Sequence, residues 1–107
     1  MKLEFSIRSS EPIEINQNEN ALARGITIKR RMILMESLDA PIFYIAYIGK
    51  EIALPVAATI IANYLWEKLR GAKDSQLTIS NQSVEINAQN IETLIIIQIN
   101  KDTNQEH

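Results

Sequence analysis

An α+β domain is what this sequence predicts: a mainly antiparallel sheet of about five or six strands packed against one main amphipathic helix. Three observations carry the expectation. Short stretches alternate apolar and polar residues from the start of the chain, as in "KLEFSIR" (Lys2 to Arg8). One long run, "IALPVAATIIANYLWEKLRG" (Ile52 to Gly71), has helical spacing instead. After it, "QLTIS" and "SVEIN" alternate again, with a polar pair between them. The 107 residues fit one domain. Its core is expected within residues 1–99, and the polar residues 100–107 read as a disordered tail.

The first strand sets Leu3, Phe5 and Ile7 on one side and Lys2, Glu4, Ser6 and Arg8 on the other. "SSEP" is turn material, and "PIEIN" alternates again with Ile13 and Ile15 inward, which suggests a first hairpin with Pro12 at an edge. "NQNEN" (Asn16 to Asn20) reads as a loop, and "ALAR" as one helical turn before Gly25. "GITIKRRMILMES" (Gly25 to Ser37) is read as a long strand, although Met32–Ser37 suits a helix equally well. "LDAP" breaks the pattern. "IFYIAYIG" (Ile42 to Gly49) is continuously apolar, as in strands central to a sheet or covered on both faces.

The long run decides between a membrane span and a core helix. Fifteen uncharged residues separate Glu51 from Glu67, whereas a span needs about 20. At 100° per residue, Leu54, Ala58, Ile61, Leu65 and Leu69 share one face, and Thr59, Asn63, Glu67 and Arg70 the opposite one. That two-sided pattern predicts a soluble helix over Ile52–Arg70. Pro55 suits its first turn, Lys68 and Arg70 its negative end, and Gly71 a left-handed stop.

In the last third, Leu77 and Ile79 face one way in "QLTIS", and Val84 and Ile86 in "SVEIN". Asn81 and Gln82 are the expected hairpin turn. "AQNIETLIIIQI" (Ala88 to Ile99) has two readings. Asn87 caps a helix with Ile91, Leu94 and Ile95 inward, or "TLIIIQI" is a last buried strand; the cap favours the helix.

Composition narrows the function classes. There is no cysteine, so no disulfide framework and no thiolate metal site. The first residues lack the apolar block of a signal peptide. A cytoplasmic location is the expectation. A net charge of −2 gives no global attraction to nucleic acid. The Ile- and Asn-rich, Gly-poor usage resembles that of AT-rich bacterial or phage genomes.

Chemistry-bearing residues are sparse. The single histidine, His107, stands in the polar tail without a packed partner, so the common triads and zinc sites are excluded. Gly25, Gly49 and Gly71 are isolated and form no phosphate loop. Glu36 with Asp39, and Glu11 with Glu14, are the paired acids that a carboxylate enzyme would use, but nothing in the sequence builds a cleft around them. No catalytic, cofactor-binding or metal-ligating residue is therefore assigned, and no cofactor is expected. What remains is a candidate interface. Trp66 lies at the border of the helix's two faces with Arg70 one turn on, and both types are enriched in binding hot spots. Tyr47 faces away from Tyr44 on its strand, and Lys29 and Arg31 share a face of theirs.

The order of "LPVAATIIANYLWEKLRG", "LTISNQSVEIN" and a final Ile-rich segment resembles small effector-associated accessory proteins of prokaryotic conflict systems. The resemblance covers Gly49 to Ile99. It implies a role through protein contacts, and it brings no catalytic residue.

The sequence thus points to a non-catalytic protein-interaction module, in a bacterial or phage defence setting, with a protein partner. Self-association is a further expectation, from apolar strands with open edges. Three rivals stand beside it. One is a phage-type inhibitor that blocks a host machine. Another is a small ligand-binding or carboxylate-based enzymatic domain near Glu36 or Asp39. The third is a membrane component in which Ile42–Leu69 enters the bilayer.

Overall fold

The alternation at the start of the chain becomes strand β1 (Lys2–Arg8), with Leu3, Phe5 and Ile7 buried and Lys2, Glu4 and Arg8 exposed. The structure, a computed structural model, describes residues 1–10, 13, 15, 21–31, 41–72 and 74–105. After β1 come β2 (Ala21–Ala23), β3 (Ile26–Arg30), β4 (Ile42–Ile48), α1 (Leu54–Leu69), β5 (Gln76–Ile79), β6 (Gln82–Val84) and α2 (Ala88–Gln105). The described strands form one six-stranded sheet in the order β2-β3-β4-β1-β5-β6, with every pair antiparallel. This is the α+β architecture that the sequence predicts.

Register sorts the side chains into two faces. Phe5 stands opposite Tyr44 on β4 and Ile79 on β5. Leu3 and Ile28 flank Ala46, Ile26 meets Ile48, and Ile7 meets Leu77. These residues join one buried cluster with Ala57, Ala58, Ile61, Ala62, Leu65 and Leu69 of α1 and Ile91, Ile95 and Ile99 of α2. Both helices therefore cover the same face of the sheet. The Phe5 and Tyr44 rings stack across it, with centroids 5.2 Å apart and planes 17° from parallel. Leu65 is fully buried, so truncating it to alanine costs about 2–5 kcal/mol, from lost transfer energy and the cavity left behind.

α1 follows its predicted face: its six buried residues fall on one side, and Thr59, Asn63, Glu67 and Arg70 are exposed on the other. Pro55 stands in the first turn, where no N–H is needed. Its far end differs from expectation. Arg70 keeps right-handed helical dihedrals, and Gly25 is the one described glycine with positive φ, so Gly71 is not the left-handed stop. The chain leaves the helix through an Ala72 N–H bond to the Leu69 carbonyl. α2 starts as its cap predicts, the Asn87 Oδ1 accepting from Gln89 N at 2.8 Å and Asn90 N at 3.3 Å. This settles Ala88–Ile99 as helix. The helix continues to Gln105, so the first six residues of the polar 100–107 segment are its last turns.

Three local expectations are corrected. β1 has β4 on one side and β5 on the other, and Ile13 and Ile15 pack on the core outside any strand, while the rest of "PIEIN" lies outside the described residues. "ALA" pairs as β2 with β3 rather than forming a helical turn. The loop between them is Arg24–Gly25, and Gly25 takes a φ of +89°, which costs a glycine nothing. The β5–β6 turn is Ser80–Asn81, one residue earlier than expected. Both hold positive φ, +48° and +67°, as a type I′ turn requires. The long strand from Gly25 is β3 up to Arg30; its Met32–Ser37 part lies outside the described residues, as do Glu36 and Asp39.

Candidate interaction surface

Strand pleating gives β4 two unlike sides. Tyr44, Ala46 and Ile48 point under the helices and are buried. Phe43, Ile45 and Tyr47 point the other way, are half-buried, and stand outside the core cluster. The continuous apolar run of this strand thus splits into a core row and a second row on the helix-free face.

Neighbouring strands surround that second row with cations. Lys2 pairs with Tyr47 from β1, and Thr27 pairs with it from β3. Lys29 pairs with Ile45 from one side and Glu4 from the other. The Lys2 Nζ lies 5.6 Å and the Lys29 Nζ 5.9 Å from the centre of the Tyr47 ring. Attraction between an exposed ammonium and an aromatic face is worth about 0.5–1 kcal/mol, enough to bias both side chains toward the ring. Arg31 donates its backbone N–H to the Phe43 carbonyl at 2.8 Å, so it stays in register beyond β3. Alternation then places its side chain on the side of Lys29. Arg8 lies on this face at the far end of β1, opposite Gln76. Among the described residues Glu4 is the one acid in the row, and it makes no ion pair with Lys2 or Lys29.

The other two candidate residues lie elsewhere. Trp66 is on α1 and Arg70 caps its C-terminal end, in the helix layer. Trp66 is half-buried and outside the core cluster. Arg70 is exposed and pairs with Glu67 at 3.4 Å, one helical turn back. The structure therefore brings Tyr47, Lys29 and Arg31 together and separates them from Trp66 and Arg70. Sequence reading missed Lys2, Phe43 and Ile45. Spacing gives each strand's alternation, but only the β1–β4 register sets Lys2 against Tyr47.

Two depressions open on the described surface. An open depression of about 400 Å³ lies between β5 and β6, lined by Ser75, Gln76, Ser83 and Glu85 among others. A smaller one gathers Arg8, Ser9, Ser10, Asp74 and Gln76. Among the described residues no three His, Cys, Asp or Glu side chains form a group that could hold a metal ion, and no helix is long and apolar enough to cross a membrane. Burial pushes the Tyr44 phenol above the usual tyrosine range, with Arg30 opposing and Tyr64 reinforcing the shift. It belongs to the core.

No protein-family model matches the chain, no curated protein matches its sequence, and no solved structure matches its fold.

Proposed function

We propose that this protein is a non-catalytic protein-interaction module whose binding surface is the helix-free face of its sheet. The observation that carries the reading is the row Phe43, Ile45 and Tyr47, three large apolar side chains half-exposed side by side on a rigid central strand. A row of this kind offers the apolar centre of an interface, and Lys2, Lys29 and Arg31 offer its polar rim. Central strands hold such a row in place without the entropy cost of ordering a loop. The setting we propose is a bacterial or phage defence system, supported by the resemblance carried by "LPVAATIIANYLWEKLRG" and "LTISNQSVEIN".

The test is capture of partners on the tagged full chain from nuclease-treated lysate of its native cells, beside Ile45→Ser and Trp66→Ala. A stoichiometric protein lost in Ile45→Ser but retained in Trp66→Ala supports the sheet face. Loss in Trp66→Ala alone moves the interface to the helix layer. Absence of any partner from the wild-type chain overturns the interaction reading.

A further inference from the structure

The cations of the helix-free face differ in sign from the chain as a whole. The protein carries a net charge of −2. Yet around the apolar row Lys2, Lys29 and Arg31 stand against Glu4 among the described residues, whereas Arg8, at the far end of the face, has Asp74 and Glu85 in its neighbourhood. A local excess of one sign on a surface of the other sign is an address, since complementary potentials steer encounter and wrong partners are repelled.

We infer that the occupant of this face is an acidic protein segment with apolar side chains, seated on Phe43, Ile45 and Tyr47 and held at its carboxylates by Lys2, Lys29 and Arg31. The inference rests on the interaction reading above and gives its partner a chemistry. Spacing supports it. Residues at i and i+2 on a strand are about 6.6–7 Å apart, so the row offers three evenly spaced seats. Lysines on the two flanking strands lie within one strand spacing of it.

Two other occupants fit less well. Single-stranded nucleic acid binds such sheets by stacking bases on open aromatic faces, but here Lys2 and Lys29 both sit over the Tyr47 ring. The acidic remainder of the surface also repels a polyanion that extends beyond the face. A second copy placed face to face sets one cationic face against another of the same sign, which opposes pairing.

The experiment is fluorescence anisotropy of three labelled probes against the full chain at low and moderate salt. The probes are a peptide alternating Glu and Leu, the same peptide with Lys in place of Glu, and an oligo-dT single strand. The variants are Lys2→Glu/Lys29→Glu, Ile45→Ser, and Lys68→Glu as a charge control on α1. Thermal melts verify that each is folded. We expect the Glu/Leu peptide to bind, more weakly as salt rises, and at least about tenfold better than the Lys/Leu peptide, a difference of 1.4 kcal/mol. The double reversal and Ile45→Ser should each lose about tenfold, and Lys68→Glu should keep the wild-type affinity.

Equal binding of both peptides, or none of either, overturns the inference. Tighter binding of oligo-dT assigns the face to nucleic acid, and self-association abolished by Ile45→Ser assigns it to a second copy. A cellular partner that is captured equally well by Lys2→Glu/Lys29→Glu leaves the interaction reading standing and removes this one.

Discussion

Thr59 on α1 and Glu92 on α2 are joined by a 2.7 Å hydrogen bond from hydroxyl to carboxylate, on the exposed side of the helix pair. The same hydroxyl lies 3.1 Å from the Pro55 carbonyl of its own helix, so the two acceptors share one proton. A charged acceptor strengthens a hydrogen bond, while exposure weakens its net effect. A double-mutant cycle with Thr59→Val and Glu92→Gln should give a coupling of about 0.5–1 kcal/mol in urea unfolding. Thr59→Ser, which keeps the hydroxyl, should retain most of it.

Asn87 satisfies two backbone donors at the start of α2. Asn87→Ala removes both acceptor contacts and should lower stability by about 1 kcal/mol, whereas Asn87→Asp should leave it nearly unchanged. Thermal unfolding followed by circular dichroism separates the two. Equal losses would mean that tertiary packing, rather than the cap, fixes where the helix starts.

The Ser80–Asn81 turn has both residues at positive φ, and serine is a poor occupant of that region. Replacing the pair by Asn-Gly suits a type I′ turn better and should raise stability by about 0.5–1 kcal/mol. Ser80→Val, a β-branched residue in the same place, should lower it. Guanidinium midpoints at unchanged slope are the measurement.

Tyr44 should limit stability in alkali. Burial raises its phenol pKa in the folded chain, with Arg30 opposing. Above about pH 10 the unfolded chain loses this proton while the folded chain keeps it. Its contribution is full below the unfolded value and is lost as pH rises through the folded one. Tyr44→Phe should therefore flatten the alkaline fall of the melting temperature.

How far the sequence could be read depended on whether local or distant contacts decide each element. α1 and α2 were readable because a helix's bonds and cap are local: the spacing Ala58, Ile61, Leu65 and Leu69, and the Asn87 cap, lie within each segment. β1 was readable as a strand, but its partners were not. "PIEIN" sits next to it in sequence and alternates correctly, yet β4 and β5 supply both ladders from far along the chain. β2 was misread because three residues carry too little pattern against the helix propensity of alanine. For the candidate surface, Tyr47, Lys29 and Arg31 were visible as outward-facing positions. Trp66 joins the candidates by residue type and by its place at the border of the helix's two faces, neither of which says which layer the strand residues share. Lys2, Phe43 and Ile45 needed the register.

The edges of the sheet bear on self-association. β2 and β6 are three residues each, so the described ladder ends in short margins that offer an incoming strand few bonds.

The central place of β1 also has a consequence in time. As the ribosome delivers the chain, β1 emerges long before either neighbour exists, and its last ladder waits for Gln76–Ile79. Pairings so distant in sequence form slowly, because a large loop must close before any bond rewards it. Until then the strand that will be the middle of the sheet is an apolar, unpaired ribbon, open to chaperones and to its own kind. Crowded overexpression, rather than the finished fold, is where this protein should be prone to aggregate, and slowing synthesis by cooling should recover it.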